Sequence, residues 1–326
     1  MKDIFKDKVV LITGGTGSFG RKFVETVINN YQPKKLIIFS RDEMKQYEMR
    51  GQFKHENIRF FLGDVRDPDR MRRAFQGVDI IIHAAALKIV PTAEYNPFEV
   101  VKTNIIGAEN VINVAIDNNV KKVIALSTDK AANPINLYGA TKLCAEKMFI
   151  AANNYSPHGT MFSVVRYGNV FGSRGSVVPF FKECTKTGII PITDSRMTRF
   201  WITLKKGVNF VINCLDEMQG GEIFIPKLPS IKILDLAKAL APKCKLKIVG
   251  IRPGEKLHET LVPNDDARYT IECEDKFITR PDVIFSMPRR ASLKYLPETF
   301  SGYRSDNNTN WLSMSDLKKL AKEENY

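Results

Sequence analysis

The chain has 326 residues, 44% of them hydrophobic, and a formal net charge of +13; that is enough apolar material for one large domain or two closely joined ones. No apolar run reaches the roughly 18 residues of a membrane span, the first residues enter a strand pattern without a signal peptide's apolar stretch, and the cysteines at 144, 184, 214, 244 and 273 form no Cys-x-x-Cys pair, so a cytoplasmic protein without membrane span, disulfide framework or metal site is expected. Lysine and arginine are dispersed apart from short pairs such as Arg289–Arg290 and Lys318–Lys319, with no nucleic-acid motif beside them, so the charge points to a solvated basic surface or a site for ligand phosphates rather than to nucleic acid.

Lys8–Thr13 (KVVLIT) reads as a strand running straight into Gly14, Gly15, Gly17 and Gly20, and a helical pattern follows with Phe23, Val24, Val27 and Ile28 at core spacing. Strand, glycine turn and helix in this order cradle a pyrophosphate: glycines let the backbone approach, and the free N–H groups of the helix start receive the anion. Gly14, Thr16, Gly17, Ser18, Phe19 and Gly20 are therefore expected at a dinucleotide. Lys35–Ser40 (KLIIFS) predicts the second strand. In such folds an acidic residue at its end selects NAD by binding the ribose. Here Ser40, Arg41 and Asp42 stand at that end, with Lys45 beyond. Arg41 and Lys45 suit a 2′-phosphate, which favours NADP; Asp42 as the ribose acceptor is the alternative.

Ile58–Leu62 predicts the third strand, ending in Gly63, Asp64 and Val65. Asp64 has two equal readings: with the next backbone N–H it reads the adenine edge, or it caps a helix near Pro68–Phe75. The fourth strand, Asp79–His83, leads into Ala84, Ala85 and Ala86, small enough for a ribose and nicotinamide to pass closely, and then to Lys88. A helix over 97–119 carries Asn104, either bonded to the backbone beside the next strand or simply a buried polar residue with its partners satisfied.

Lys122–Leu126 (KVIAL) predicts a buried strand with Ser127–Lys130 at its carboxyl end. After a loop carrying Pro134, a helix presents Tyr138 and Lys142 on one face, four residues apart. A phenol beside an ammonium has its phenolate stabilised, so Tyr138 is expected to act as a base below its ordinary pKa of about 10. Asp129 and Lys130 offer a carboxyl group and an amine at the mouth of the same cleft. The same Tyr-x-x-x-Lys spacing occurs at Tyr31–Lys35, where Pro33 argues against a helix; the strand before Tyr138 and the nucleotide fold around it make the difference. Met161–Arg166 predicts the sixth strand, leading into a loop with Asn169 on the same side. From residue 173 the pattern changes to helices near 178–187, 206–217 and 234–241 with short strands between, such as Ile223–Ile225. Arg252 and Glu255 then flank a Pro-Gly turn, and Trp311 and Leu312 are expected to dock a polar tail. The expected fold is α/β: a Rossmann-type doubly wound parallel sheet over residues 1–172, with some later segments returning to it, and a smaller α/β substrate-binding part over 173–326.

The segments LITGGTGSFG (11–20), HAAALK (83–88), AEYNP (93–97), LSTDKAANPINLYGATK (126–142), VVRYGNV (164–170), RMTRFWIT (196–203), RPGEKLHE (252–259) and NNTNWL (307–312) make the chain resemble the extended short-chain dehydrogenase/reductases, and within them the inverting UDP-N-acetylglucosamine 4,6-dehydratases. Ile89 departs from the pattern, which carries His there. The resemblance implies NADP as cofactor, with Val65, Ala84, Ala86 and Lys88 beside it, UDP-N-acetylglucosamine as substrate and a homo-oligomer larger than a dimer, such as a hexamer. It implies that Tyr138 takes the proton of the sugar 4-hydroxyl while Lys142 holds the ribose. Lys130, with a pKa depressed by burial or by Lys88 and Lys142, is then the base at carbon 5, Asp129 the acid for the 6-hydroxyl, and Thr128 a hydrogen-bond partner of the sugar. Lys88, Asn169, Val177, Arg199, Arg252 and Glu255 are implied at the substrate, Arg252 at its phosphates. An epimerase on this fold needs the tyrosine and cofactor but no acid–base pair. The related retaining 4,6-dehydratases, a further alternative, carry an Asp-Glu pair where this chain has Asp129–Lys130. A non-catalytic NADP sensor has no use for Thr128, Asp129, Lys130, Tyr138 and Lys142 together.

Overall fold

The structure, a computed structural model, describes residues 3–280 and 294–324; the Arg289–Arg290 pair lies outside them. Six strands pair in parallel: β1 (Val9–Thr13), β2 (Lys35–Ser40), β3 (Ile58–Leu62), β4 (Ile80–His83), β5 (Lys122–Thr128) and β6 (Met161–Tyr167). Their order is β3-β2-β1-β4-β5-β6. Helices cover both faces, so the strand interiors are continuous apolar runs rather than alternating ones; Val10, Leu11, Ile12, Ile81, Ile82, Val123 and Ile124 are fully buried.

Later segments return to this sheet. Strand Ile223–Pro226 pairs in parallel with β6, and Lys276–Thr279 and Thr270–Glu272 add antiparallel beyond it, giving nine strands among the described residues. Helix Leu204–Glu217 packs beside helix Ser18–Asn30 on the same body. The remaining C-terminal segments close a second, smaller core of Phe171, Val178, Phe181, Trp201, Ile231, Leu236 and Leu317. Its sheet pairs Thr198–Ile202 with Ser230–Lys232. Leu312 docks the tail there, its N–H donating to the Ser230 carbonyl at 3.0 Å. Among the described residues no helix is long and apolar enough to cross a membrane.

One expected element is broken in two. The helix predicted over 97–119 is Pro97–Val101, then a π turn Lys102–Ile106, then Gly107–Asp117. A π turn inserts one extra residue into the helix and re-aims the side chains it carries; Asn104 sits in it. The strand order reverses between β1 and β4, which opens a crevice beyond their carboxyl ends.

Candidate active site

A cleft of about 760 Å³ fills that crevice. The cofactor end starts at the turn after β1. Gly14 holds φ +64°, and a Cβ there would lie 2.8 Å from the Ala85 backbone; a Cβ on Gly20 would lie 2.3 Å from the Gly15 carbonyl oxygen. Backbone packs on backbone here, which only glycine permits. Gly17 is the N-cap of helix Ser18–Asn30 and no side chain caps it, so the helix start is left to a ligand anion. The cradle fits a dinucleotide pyrophosphate.

At the far end of this half, the Thr16 and Ser40 hydroxyls bond at 2.8 Å. Asp42 caps helix Glu43–Gln52, accepting from the Lys45 backbone N–H at 2.9 Å and from its ammonium. The Lys45 hydrogen bonds hold the Asp42 carboxyl below its ordinary range. Arg41 is exposed with Nη1 3.4 Å from Asp64. Asp64 is not a helix cap: Asp67 takes that role, accepting from Arg70 N–H at 2.9 Å. Burial pushes Asp64 up, but hydrogen bonds from the Arg66 backbone and side chain prevail and hold it down. Arg174 also lines this end; its N–H donates to Ser18 Oγ at 3.1 Å and its charge acts on Asp42. Nothing in the sequence pattern points to Arg174, because its loop comes from the far side of β6.

The reactive end is built by β5 and the helix Leu137–Ala151. Thr128 ends the strand and caps a 3-10 turn Asp129–Ala131, and its hydroxyl donates to Asp129 Oδ1 at 3.0 Å. Asn136 caps the helix through the Gly139 N–H at 2.8 Å. Tyr138 and Lys142 enter the cleft almost fully buried. The two readings of Asn104 merge. Its amide spans the Leu87 backbone at 2.9 Å in both directions and donates to Thr141 Oγ1 at 3.1 Å, tying the loop that carries Lys88 to the tyrosine helix.

The electrostatics correct two expectations. Burial pushes Tyr138 up to about 12, against the pull of the Lys130 charge and the Thr128 hydroxyl. Loss of solvent, not the expected lowering by Lys142, sets the direction, and the cation that acts on the phenol is Lys130 rather than Lys142. Lys142 itself is pushed down to about 8 by burial, with Glu146 opposing. Lys130 was expected to be depressed and is instead raised. Burial pulls it down, but two carboxylates overcome that: Asp129 Oδ1 at 3.0 Å from Nζ and Glu259 Oε1 at 3.2 Å. Lys88 on the same wall is, like Lys142, a depressed amine, lowered by loss of solvent and by the Lys130 charge. Asp129 is fully buried and raised, first by burial and then by Glu259, with Lys130 opposing. Neutral His83 lies behind, fully buried and pushed down to about 3 by burial and the Lys142 charge, its Nδ1 2.9 Å from the Thr13 hydroxyl.

Lys88, Asn169 and Arg252 line the cleft with the predicted cofactor residues, including Val65, Ala84 and Ala86. Val177, Arg199 and Glu255 are not among its lining residues. Val177 opens the helix Val177–Cys184 and packs on the smaller core. Arg199 is buried, and its guanidinium donates to the carbonyls of Thr198, Lys256 and Leu257 at 2.6, 2.9 and 3.1 Å. Glu255 accepts from the Arg252 N–H at 3.3 Å and closes the Pro-Gly turn. Sequence reasoning gave no role to Glu259, although it ends the RPGEKLHE segment; strand Thr260–Val262, which packs on the Asp129–Ala131 turn, brings it in.

Residues 10–281 match the family described as polysaccharide biosynthesis protein. The chain is 54% identical to a UDP-N-acetylglucosamine 4,6-dehydratase (inverting) of Campylobacter jejuni subsp. jejuni serotype O:2, over 97% of this chain and 98% of that one. It is 41% identical to a UDP-glucose 4-epimerase of Rickettsia canadensis, over 90% and 96% of the two chains. The crystal structure of Pen from Bacillus thuringiensis superposes with a TM-score of 0.90 at 38% identity, covering 99% of each chain. Glycine cradle, strand order, buried Tyr138–Lys142 pair and these likenesses agree, and the chain belongs to the polysaccharide biosynthesis protein family, within the short-chain dehydrogenase/reductase-like group.

Proposed function

We propose that the chain is an NADP-dependent UDP-N-acetylglucosamine 4,6-dehydratase that inverts carbon 5. The product is UDP-2-acetamido-2,6-dideoxy-β-L-arabino-hex-4-ulose, and the step is the first of pseudaminic acid biosynthesis. The observation that carries this reading is the Asp129–Lys130 pair on the same cleft as Tyr138 and Lys142. The name of the Campylobacter relative supports it. The Gly14–Gly20 turn would hold the cofactor pyrophosphate, Arg41 and Lys45 with Arg174 its 2′-phosphate, and Lys142 its ribose. The chemistry such a group supplies when bound is reversible hydride transfer, from carbon 4 of the sugar and back to carbon 6.

The side chains move the protons. Tyr138, acting as the phenolate that the Lys130 charge and the Thr128 hydroxyl favour, takes the proton of the 4-hydroxyl, and the ketone then acidifies carbon 5. At rest Lys130 is an ammonium beside Asp129. One proton passing along their 3.0 Å contact leaves an amine and a carboxylic acid, the two forms elimination needs. The Lys130 amine removes the carbon-5 proton, Asp129 gives its proton to the departing 6-hydroxyl, and water leaves. Lys130 then returns a proton to carbon 5, and the proton that Tyr138 took from the 4-hydroxyl passes to the Asp129–Lys130 pair, which resets both. Thr128, Lys88 and Asn169 hold the sugar, and Arg252 the diphosphate. A homo-oligomer belongs to the same reading, supported by Tyr95 and Phe98, 86% and 77% exposed beside each other on short helices.

The Rickettsia relative's name favours a second reading, a 4-epimerase, which uses Tyr138 and Lys142 and leaves Asp129–Lys130 idle. Incubation with UDP-N-acetylglucosamine decides between them. A product lighter by one water, with inverted carbon 5 by NMR, is expected. A product of unchanged mass epimerised at carbon 4 would replace the dehydratase by the epimerase, and recovery of unchanged substrate would remove both.

A further inference from the structure

Glu259 is 2% exposed, yet it does not serve the fold as the other buried glutamates do. Glu146 is matched by Arg166, and Glu222 by Ser163 and Arg280. Glu259 instead places Oε1 3.2 Å from Lys130 Nζ and leaves Oε2 without a hydrogen bond among the described residues; Asp129 Oδ2 beside it is equally unbonded. Its backbone is fixed on both sides by Ser305, whose Oγ accepts from the Glu259 N–H at 2.9 Å and whose N–H donates to the Glu259 carbonyl at 2.9 Å. Arg199 Nε at 3.7 Å and Lys256 Nζ at 3.8 Å complete its surroundings. The backbone that carries this carboxylate is thus anchored beside the Lys130 amine.

We propose that Glu259 is a positioning residue for the Asp129–Lys130 pair, gripping the Lys130 ammonium together with Asp129 and governing how that pair shares its protons. The proposal rests on the dehydratase reading for its catalytic meaning. The groups facing Glu259 are Lys130, Asp129, Arg199 and Lys256. Those facing Lys130 are Asp129, Glu259 and Arg199, with Lys88, Lys256 and Tyr138 feeling its charge in turn. Glu259 is therefore the anion outside the pair that favours the ammonium on Lys130, and it also favours the proton on Asp129. Without it, both lose that support. No further reactant enters: the proton passed from Lys130 to Asp129 is the one later given to the leaving hydroxyl.

The pairing is measured without turnover by competitive acylation of Lys130 across pH, read by mass spectrometry of its peptide. In Glu259→Gln the pH at which half of Lys130 reacts is expected to fall by about one unit or more, the effect of removing an anion at this range. The acid limb of the pH profile for water release from UDP-N-acetylglucosamine should move the same way. The profile for cofactor reduction by substrate should move less than that for water release, because Glu259 acts on Tyr138 only through Lys130 and Asp129. Glu259→Asp keeps the charge and draws it back, so it should shift Lys130 in the same direction by less; it decides the matter if the Gln variant does not fold. An unmoved Lys130 in the variants, or activities that fall together with unmoved pH profiles, would overturn the proposal. Wild-type enzyme that releases no water would overturn the dehydratase reading instead, while the labelling still decides the pairing.

Discussion

Lys142 is a charge the fold holds against its own stability. It is 5% exposed, and burial brings its pKa from 10.5 to about 8; a shift of that size opposes folding of the charged form by about 3 kcal/mol. The sign follows from proton counting. Below pH 8 both folded and unfolded chains carry the proton and the full penalty stands; between about 8 and 10.5 the unfolded chain binds more protons, so stability rises with pH; above that range the penalty is gone. Lys142→Met is therefore expected to raise Tm at pH 7 and to lose that advantage above about pH 10, while turnover is abolished. Thermal melts across pH measure this, and a variant no more stable than wild type at pH 7 would show that the ammonium is solvated after all. Tyr138→Phe should lose turnover by about 10²–10⁴-fold and lose cofactor reduction by substrate with it; normal reduction in that variant would assign the proton to another group. Arg41→Ala should weaken NADP by roughly 10–100-fold, the worth of a charge-assisted contact, and NAD far less; equal weakening of both would remove Arg41 from the 2′-phosphate. Spacing along one helix made Tyr138 and Lys142 legible as neighbours. It could not give the direction of the phenol's shift, because that depends on burial, and burial is set by segments far away in the chain.

The elements that shape the cleft differ in how plainly the chain announces them. β2 and β3 are as predicted to the residue, since an apolar run bounded by turn residues leaves little choice of register. The cap of helix Pro68–Ala74 was missed, although its signal stands in the chain: Pro68 is at the first helical position, which proline favours, and that makes Asp67 the cap rather than Asp64. The π turn at Lys102–Ile106 was not legible, because one added residue leaves an apolar pattern of this length almost unchanged. Its consequence is Asn104, whose amide fixes the Leu87 backbone and reaches Thr141. Asn104→Ala leaves the part-buried backbone groups of Leu87 without their side-chain partner, a cost of about 1 kcal/mol or more. The loop it releases carries Lys88, so a raised substrate KM should accompany the lower Tm. A variant with wild-type melting and KM would mean that the loop is held by its packing alone.

At the scale of the whole molecule the cleft belongs to neither core. The glycine cradle and the tyrosine helix come from the main sheet, whereas Arg174, Arg252 and Glu259 arrive from segments after β6. Of these, Arg174 and Glu259 were the least legible, since the packing that delivers them joins positions more than a hundred residues apart. Arg252 shows how the delivery works. Gly254, at φ +79°, lets the Pro-Gly turn reverse, and its carbonyl accepts from Asn136 Nδ2 at 2.8 Å. Asn136 is also the cap of the tyrosine helix. One side chain thus fixes the turn that carries Arg252 to the helix that carries Tyr138, and so sets the distance between these two residues. Arg252→Ala is expected to raise the KM for UDP-N-acetylglucosamine by roughly 10–100-fold, the worth of a charge-assisted contact, with kcat and cofactor affinity nearly unchanged. Asn136→Ala keeps the guanidinium but loosens its placement, so kcat should fall along with a smaller rise in KM, because a misplaced substrate reacts more slowly even when bound. Steady-state kinetics of the two variants side by side make the comparison: an unchanged KM in Arg252→Ala would leave Arg252 a surface residue of the turn, and an unchanged kcat in Asn136→Ala would show that the turn and the helix are positioned independently.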